Sequence, residues 1–401
     1  MWQDQQPSAV FVSPRRMARE DLDIRTIEAF PVSFATPDGP RLAIGQSLKR
    51  DAVIVKIVTE GGIVGYGEAH HARSAATIAQ IINTTMRDII LPASAEDVVD
   101  IWARVYQWQL RSHGLGAATV MALSGIDQAL WDIKGKAAGL PLHRLLGGSP
   151  KPVNLYAGGI ALGWQDPASL VEEIHPLLRQ GYRAVKLRGG DRPQRDIARL
   201  EAVRAAFPEL TIMVDANTGY TLDDVRAVMP AFAALKVYWL EEPFAPHDHR
   251  SYQQAARLGC VPLAAGENHY MRFEFAQLIE SGAVSILQPD LSKAGGITEV
   301  MRIAATASTW RLPVCPHTSI TGLNMAATLH VLSSIDNAGY FEADVATQNP
   351  FRDQMTQTPY EIHADGTVTL AAEVAARPGL GVDVDEALIA AHPFIAGRNF
   401  A

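Results

Sequence analysis

The chain opens polar, with Pro7 and Pro14 among its first residues, and a loose arm is expected over residues 1–20. From Asp23 apolar and polar positions alternate, through "DIRTIEAFPVSF" and "DAVIVKIVTEGGIVGYGEA". A period of two predicts strands, and Glu60-Gly61-Gly62 between two such runs predicts a hairpin. The spacing then lengthens to a helical one over 74–90, 96–111 and 117–138, where Gly139-Leu140-Pro141 stops the last helix. Strands followed by helices predict an α+β domain over 21–148.

After Pro152 the texture changes. Short β-branched runs alternate with helical stretches: "AVKLR", "TIMVDAN", "VYWLEEP", "VPLAAGE", "SILQPD", "LPVCPH" and "GYFEAD". Each run ends in a charged or polar residue. Asp215, Glu241, Glu267, Asp290, His317 and Glu342 follow one another at intervals of 26, 26, 23, 27 and 25 residues. That is the period of a repeated strand–helix unit. It predicts a (β/α) barrel over 149–370, with its site at the carboxyl ends of the strands. An open doubly wound sheet is the alternative, but it would gather functional groups mainly at one switch point. The remainder, 371–401, reads as leaving the barrel and returning to the first domain.

Charge narrows the partners. Lys and Arg number 35 against 43 Asp and Glu, a net charge of −8, which speaks against nucleic acid as the main partner. No apolar run is long enough to span a membrane. Cys260 and Cys315 lack metal-site spacing and read as two inert thiols in a reducing compartment. The opening "MWQDQQPSAV" has no charged-then-apolar pattern, so a cytoplasmic location is expected.

The strand-end acids carry the chemistry. In a barrel, Asp215, Glu241 and Glu267 converge near the axis and repel unless a cation holds them. Oxygen-only ligands select a hard ion, Mg²⁺ before Mn²⁺. Each acid alone would serve equally well as a helix cap or a surface charge; the shared strand-end position favours the ion. Glu242 is expected to face away from the axis by strand alternation, in a structural salt bridge. Asp290 and His317 end adjacent strands. An Asp beside a His fixes the imidazole tautomer and raises its pKa, making a general base or acid.

"VDAN", "WLEEP", "AGEN", "QPDLSKAGGITE" and "VCPH", in this order, resemble the mandelate racemase subgroup of the enolase superfamily. "ALSGIDQALWDIKGKAAGLPLHRLLGG" resembles the last helix of that family's capping domain. The resemblance implies a modified (β/α)7β, TIM-like barrel under an N-terminal α+β capping domain. It also implies Mg²⁺-dependent removal of the proton α to a carboxylate. Asp215, Glu241 and Glu267 match the metal ligands, Asp290 and His317 the catalytic dyad, and Glu342 the acid that hydrogen-bonds the substrate carboxylate. Asn217 and, less closely, Lys293 match substrate contacts. Removing such a proton loads the carboxylate oxygens with charge, so preorganised positive charge must meet them.

One strand departs from the family pattern. Where the family has Lys-x-Lys, with the second Lys as a base, this chain has Lys186-Leu187-Arg188. An Arg stays protonated; it orients and neutralises but is a poor base. With His317 as the one convincing base, one-face chemistry such as dehydration is expected, and the resemblance, which includes many acid-sugar dehydratases, implies an acid sugar as the substrate. Racemisation, epimerisation or lactone cycloisomerisation is the alternative, and a barrel that binds an acid without turnover is a third. His70 and His71, in "GEAHHARS", are placed either on substrate hydroxyls or on a solvent-exposed loop. A small carboxylate substrate and assembly as a homo-oligomer complete the expectation.

Overall fold

The computed structural model describes residues 18–318 and 320–401. Most of the expected N-terminal arm, residues 1–17, therefore lies outside the described residues.

The first domain is a three-stranded antiparallel sheet, Ile24–Ala35, Lys49–Thr59 and Val64–Ala69, with helices on one face. Its last strand reads "VGYGEA" because a helix presses on it. A Cβ at Gly65 would fall 2.3 Å from the Ala129 carbonyl oxygen, and one at Gly67 2.2 Å from that of Gly125. Only glycine admits so close an approach. The helix is Ala117–Ala138, ended by Gly139 in the left-handed region at φ 66°. It is rich in Ala and Gly because it is buried on two sides. The sheet covers one side; on the other, Asp127 and Ser124 accept the backbone N–H groups of Thr298 and Gly295 from the second domain.

The second domain is a closed barrel. Its strands are Val153–Gly158, Ala184–Arg188, Thr211–Asp215, Val237–Glu241, Leu263–Ala265, Ile286–Leu287, a single bridge at Val314, and Tyr340–Asp344, which pairs back onto the first. Seven helices connect these eight positions, giving the (β/α)7β arrangement. The strand Val153–Gly158 escaped the sequence reading. "LPVCPH" pairs only at Val314 because Pro313 and Pro316 bring no N–H to a ladder. Beyond the barrel, Thr367–Leu370 pairs antiparallel with the first barrel strand. Residues 386–401 then run along the first domain: Glu386 accepts from Lys56 at 2.7 Å, and the His392 and Asn399 carbonyls accept from Ser33 N and Leu48 N.

The barrel interior is layered. Tyr156, Ala184, Met213, Trp239, Ala264, Ile286 and Cys315, with Tyr340 against them, fill the floor with one side chain per strand. Two residues further along five of these strands, on the same inward face, stand Lys186, Asp215, Glu241, His317 and Glu342; Asp290 lies four residues beyond Ile286. The polar layer thus rests on a largely apolar floor.

Candidate active site

Lys186 is the centre of the polar layer. Its ammonium lies 2.6 Å from Glu241 Oε1, 3.0 Å from Glu342 Oε1 and 3.5 Å from Asp215 Oδ2, and it is 1 % exposed. Burial opposes its charge, but the three carboxylates outweigh that and raise its pKa above the ordinary lysine value. Arg188 commits its two terminal nitrogens, while its Nε is buried with no partner among the described residues. Nη1 bonds Asp215 and, at 3.2 Å, Asn217 Oδ1; Nη2 bonds the Gly159 carbonyl. Neither cation is available to take a proton.

Glu241 spends its second oxygen on Trp239 Nε1 at 3.1 Å and Gln288 Nε2 at 2.7 Å. Glu342 accepts from Gly159 N at 2.9 Å. Burial would raise the Glu342 carboxyl, yet Lys186 and His317 hold it below the usual range, as an ionised group. His317 bridges two acids, with Nδ1 2.6 Å from Asp290 Oδ2 and Nε2 2.8 Å from Glu267 Oε2. Burial disfavours the imidazolium, but Glu267, Glu342 and Asp290 outweigh it and push the pKa up to about 10.

Above this layer lies a cavity of about 370 Å³. Arg188, Asn217, Glu267, Lys293 and His317 line its barrel side, and His70 and His71 its capping-domain side. Asp215, Glu241, Asp290, Lys186 and Glu342 lie beneath its surface. A larger cleft of about 570 Å³ opens elsewhere, between Arg41, Trp164 and Arg192. It gathers none of the strand-end groups, so the smaller cavity is the one with chemistry.

Glu242 corrects the sequence reading. The strand stops at Glu241, Pro243 follows, and Glu242 takes a left-handed backbone at φ 37°. Alternation no longer applies, and its side chain turns into the cavity. Oε2 accepts from Asn268 Nδ2 at 2.7 Å, Oε1 has no partner among the described residues, and no salt bridge forms there. Burial, reinforced by Glu267 and Asp215, raises its pKa well above the ordinary value. The Pro after the doubled Glu was the signal available in the sequence.

Among the described residues no three acids, histidines or cysteines stand close enough to grip an ion as arranged. The donor set nevertheless fits a hard cation. Asp215, Glu241, Glu242 and Glu267 bring only oxygens. Glu242 Oε1 is buried with no partner among the described residues, and burial with mutual repulsion raises the Glu241 pKa as well.

A capping sheet with helices, joined to a (β/α)7β barrel whose strand ends converge on acids and a His–Asp pair, is the architecture of the enolase superfamily. Residues 26–147 match the mandelate racemase / muconate lactonizing enzyme N-terminal domain, and 169–388 the enolase C-terminal domain-like family. The chain belongs to this family. It is 33 % identical to a D-galactonate dehydratase of Variovorax paradoxus, over 83 % of this chain and 89 % of that one. It is 32 % identical to a D-galactarolactone cycloisomerase of Agrobacterium fabrum, over 84 % and 90 %. Among solved structures, an enolase superfamily member from Polaromonas sp. JS666 superposes with TM-score 0.91 at 49 % identity, covering 94 % of this chain and 100 % of that one. A racemase from Streptomyces coelicolor with bound magnesium gives 0.82 at 28 %, covering 92 % and 99 %.

Proposed function

We propose that the chain is an acid-sugar dehydratase that converts a sugar acid to its 2-keto-3-deoxy acid. The observation that carries this reading is the presence of a single free-acting base. Lys186 is locked among three carboxylates, and Arg188 is held by Asp215, Asn217 and Gly159. Burial opposes the charge on Lys293, but Glu267 and Asp290 outweigh it and favour the charged form. His70 and His71 accept backbone N–H groups at Nδ1, which leaves His317, oriented by Asp290, as the base among the described residues that line the cavity. A single base works on one face of the α-carbon.

Asp215, Glu241 and Glu267, with Glu242 beside them, are the residues that would hold Mg²⁺. When bound, the ion supplies positive charge to the substrate carboxylate as the α-proton leaves. With Glu267 turned to the ion, His317 Nε2 would lose the carboxylate that keeps it protonated and release that proton to solvent; the neutral ring then accepts the α-proton. Asp290 keeps Nδ1 protonated and stabilises the imidazolium. His317 then returns that proton to the β-hydroxyl, whose C–O bond breaks and releases water. The enol left behind becomes the α-keto acid. Asn217 and Lys293 orient the polyol from the wall.

Lactone cycloisomerisation is the second reading. It needs the same single base, with a ring oxygen leaving in place of hydroxide, and the Agrobacterium relative carries that name. Incubating the Mg²⁺-loaded protein with a panel of aldonates, aldarates and aldarolactones, and assaying α-keto acid, tests the proposal. Keto acid from open-chain acids, lost in His317→Asn, supports dehydration. Turnover of lactones alone supports the second reading.

A further inference from the structure

The two sides of the cavity differ in make-up: the barrel side mixes Arg188, Lys293 and His317 with acids, while the capping-domain side is basic and apolar. Both acids that line it, Glu242 and Glu267, belong to the barrel. The capping-domain side presents Arg50, His70, His71 and Arg73 together with apolar groups, and no carboxylate of the described residues lines it.

Arg50 is 4 % exposed. Nη1 bonds Asp344 Oδ2 at 2.7 Å, while Nε is buried with no partner among the described residues. A guanidinium that holds one carboxylate through one edge keeps its remaining donors for another. Arg73 lies in no ion pair among the described residues; its guanidinium sits 5.1 Å from the Phe400 ring at the cavity rim.

The histidines between them are set as donors by the backbone. Ala72 N donates to His70 Nδ1 at 3.1 Å, and Arg73 N to His71 Nδ1 at 2.9 Å. The turn that aims these N–H groups depends on left-handed backbone at Ala72 and Arg73, φ 47° and 57°. A ring whose Nδ1 accepts a hydrogen bond carries its proton on Nε2. The rings stack at 4.2 Å, and both residues line the cavity.

We propose that this end of the cavity is a subsite for a second carboxylate, and that the acid sugars taken by this chain are diacids. The inference rests on the acid-sugar reading above. A diacid places its reacting carboxylate at the barrel end and its other carboxylate against Arg50, Arg73 and the two imidazole N–H groups. A monoacid places a neutral hydroxymethyl group there and leaves the Arg50 donors unmet. Sites built for a charged group discriminate strongly against analogues that lack it.

Calorimetry on the Mg²⁺-loaded protein tests this with matched pairs, galactarate against galactonate and glucarate against gluconate. The expected result is at least about tenfold tighter binding of the diacid in one pair or both. Arg50→Gln should close that gap. Because Arg50 also pairs with buried Asp344, the exposed Arg73→Gln serves as the second variant and should narrow the gap in a fully folded protein. Equal or tighter binding of the monoacid in both pairs, no diacid binding, or equal losses for both acids in the variants would overturn the subsite. Binding is read apart from turnover, so the two readings fail separately. Diacid preference without keto acid formation refutes dehydration and supports the subsite. Keto acid from monoacids without diacid preference refutes the subsite alone.

Discussion

Asp290 Oδ2 stands 2.6 Å from His317 Nδ1, and this contact decides which imidazole nitrogen meets the cavity. The same aspartate is held on its other oxygen by Ser292 N and Oγ, each at 2.7 Å, and by Asn324 Nδ2 at 3.2 Å. Asn324 in turn accepts from Gln128 on the capping-domain helix. A line of hydrogen bonds thus runs from one domain to His317 in the other.

Asp290→Asn should lower kcat by about 10² to 10⁴, the range of general-base contributions, with little change in KM. An amide cannot hold the imidazolium, and it can present its NH₂ to Nδ1 and fix the wrong tautomer. Steady-state kinetics on a productive acid sugar, beside a circular dichroism spectrum matching wild type, provides the check.

Lys186→Met should destabilise the fold by about 3–5 kcal/mol, the usual result of stripping one partner from a buried ion cluster. Asp215, Glu241 and Glu342 would lose the ammonium between them. Added Mg²⁺ should restore part of the loss. Urea denaturation with and without the ion measures both effects, and a variant as stable as wild type would contradict the cluster's assigned role.

Glu68 gives the fold a pH dependence. It is 1 % exposed and accepts from Ile320 N, Thr321 N and Thr321 Oγ1, which ties the capping sheet to the segment after His317. Burial, opposed by the Thr321 hydroxyl and reinforced by Asp290, raises its pKa to about 7 from an ordinary 4.5. Between these values the folded chain keeps a proton that the unfolded chain has lost. Stability from this group is therefore full below pH 4.5 and falls as pH rises toward 7, by at most about 1.4 kcal/mol per pH unit. Glu68→Gln, which cannot ionise, should flatten that slope in denaturation series across the window.

Much of this was legible because a barrel repeats. The intervals between Asp215, Glu241, Glu267, Asp290, His317 and Glu342 encode strand–helix units, and alternation sends residues of like parity inward. Where a strand ends, that rule ends with it. Glu242 lies one residue past the ladder, and its left-handed backbone reverses the expected direction. The first barrel strand went unread because Val153–Gly158 ends in glycine and carries no charged marker. The Arg188 contacts depend on the Gly159 carbonyl from a neighbouring strand, a relation that linear spacing does not express.

His317 as the sole base makes proton exchange stereospecific. Exchange of the α-proton in D₂O, followed by NMR with acid sugars of each α-configuration, tests it most directly. Wild type should exchange one configuration only, and His317→Asn should exchange neither. Exchange of both configurations at similar rates by wild type would establish a second base and contradict the account.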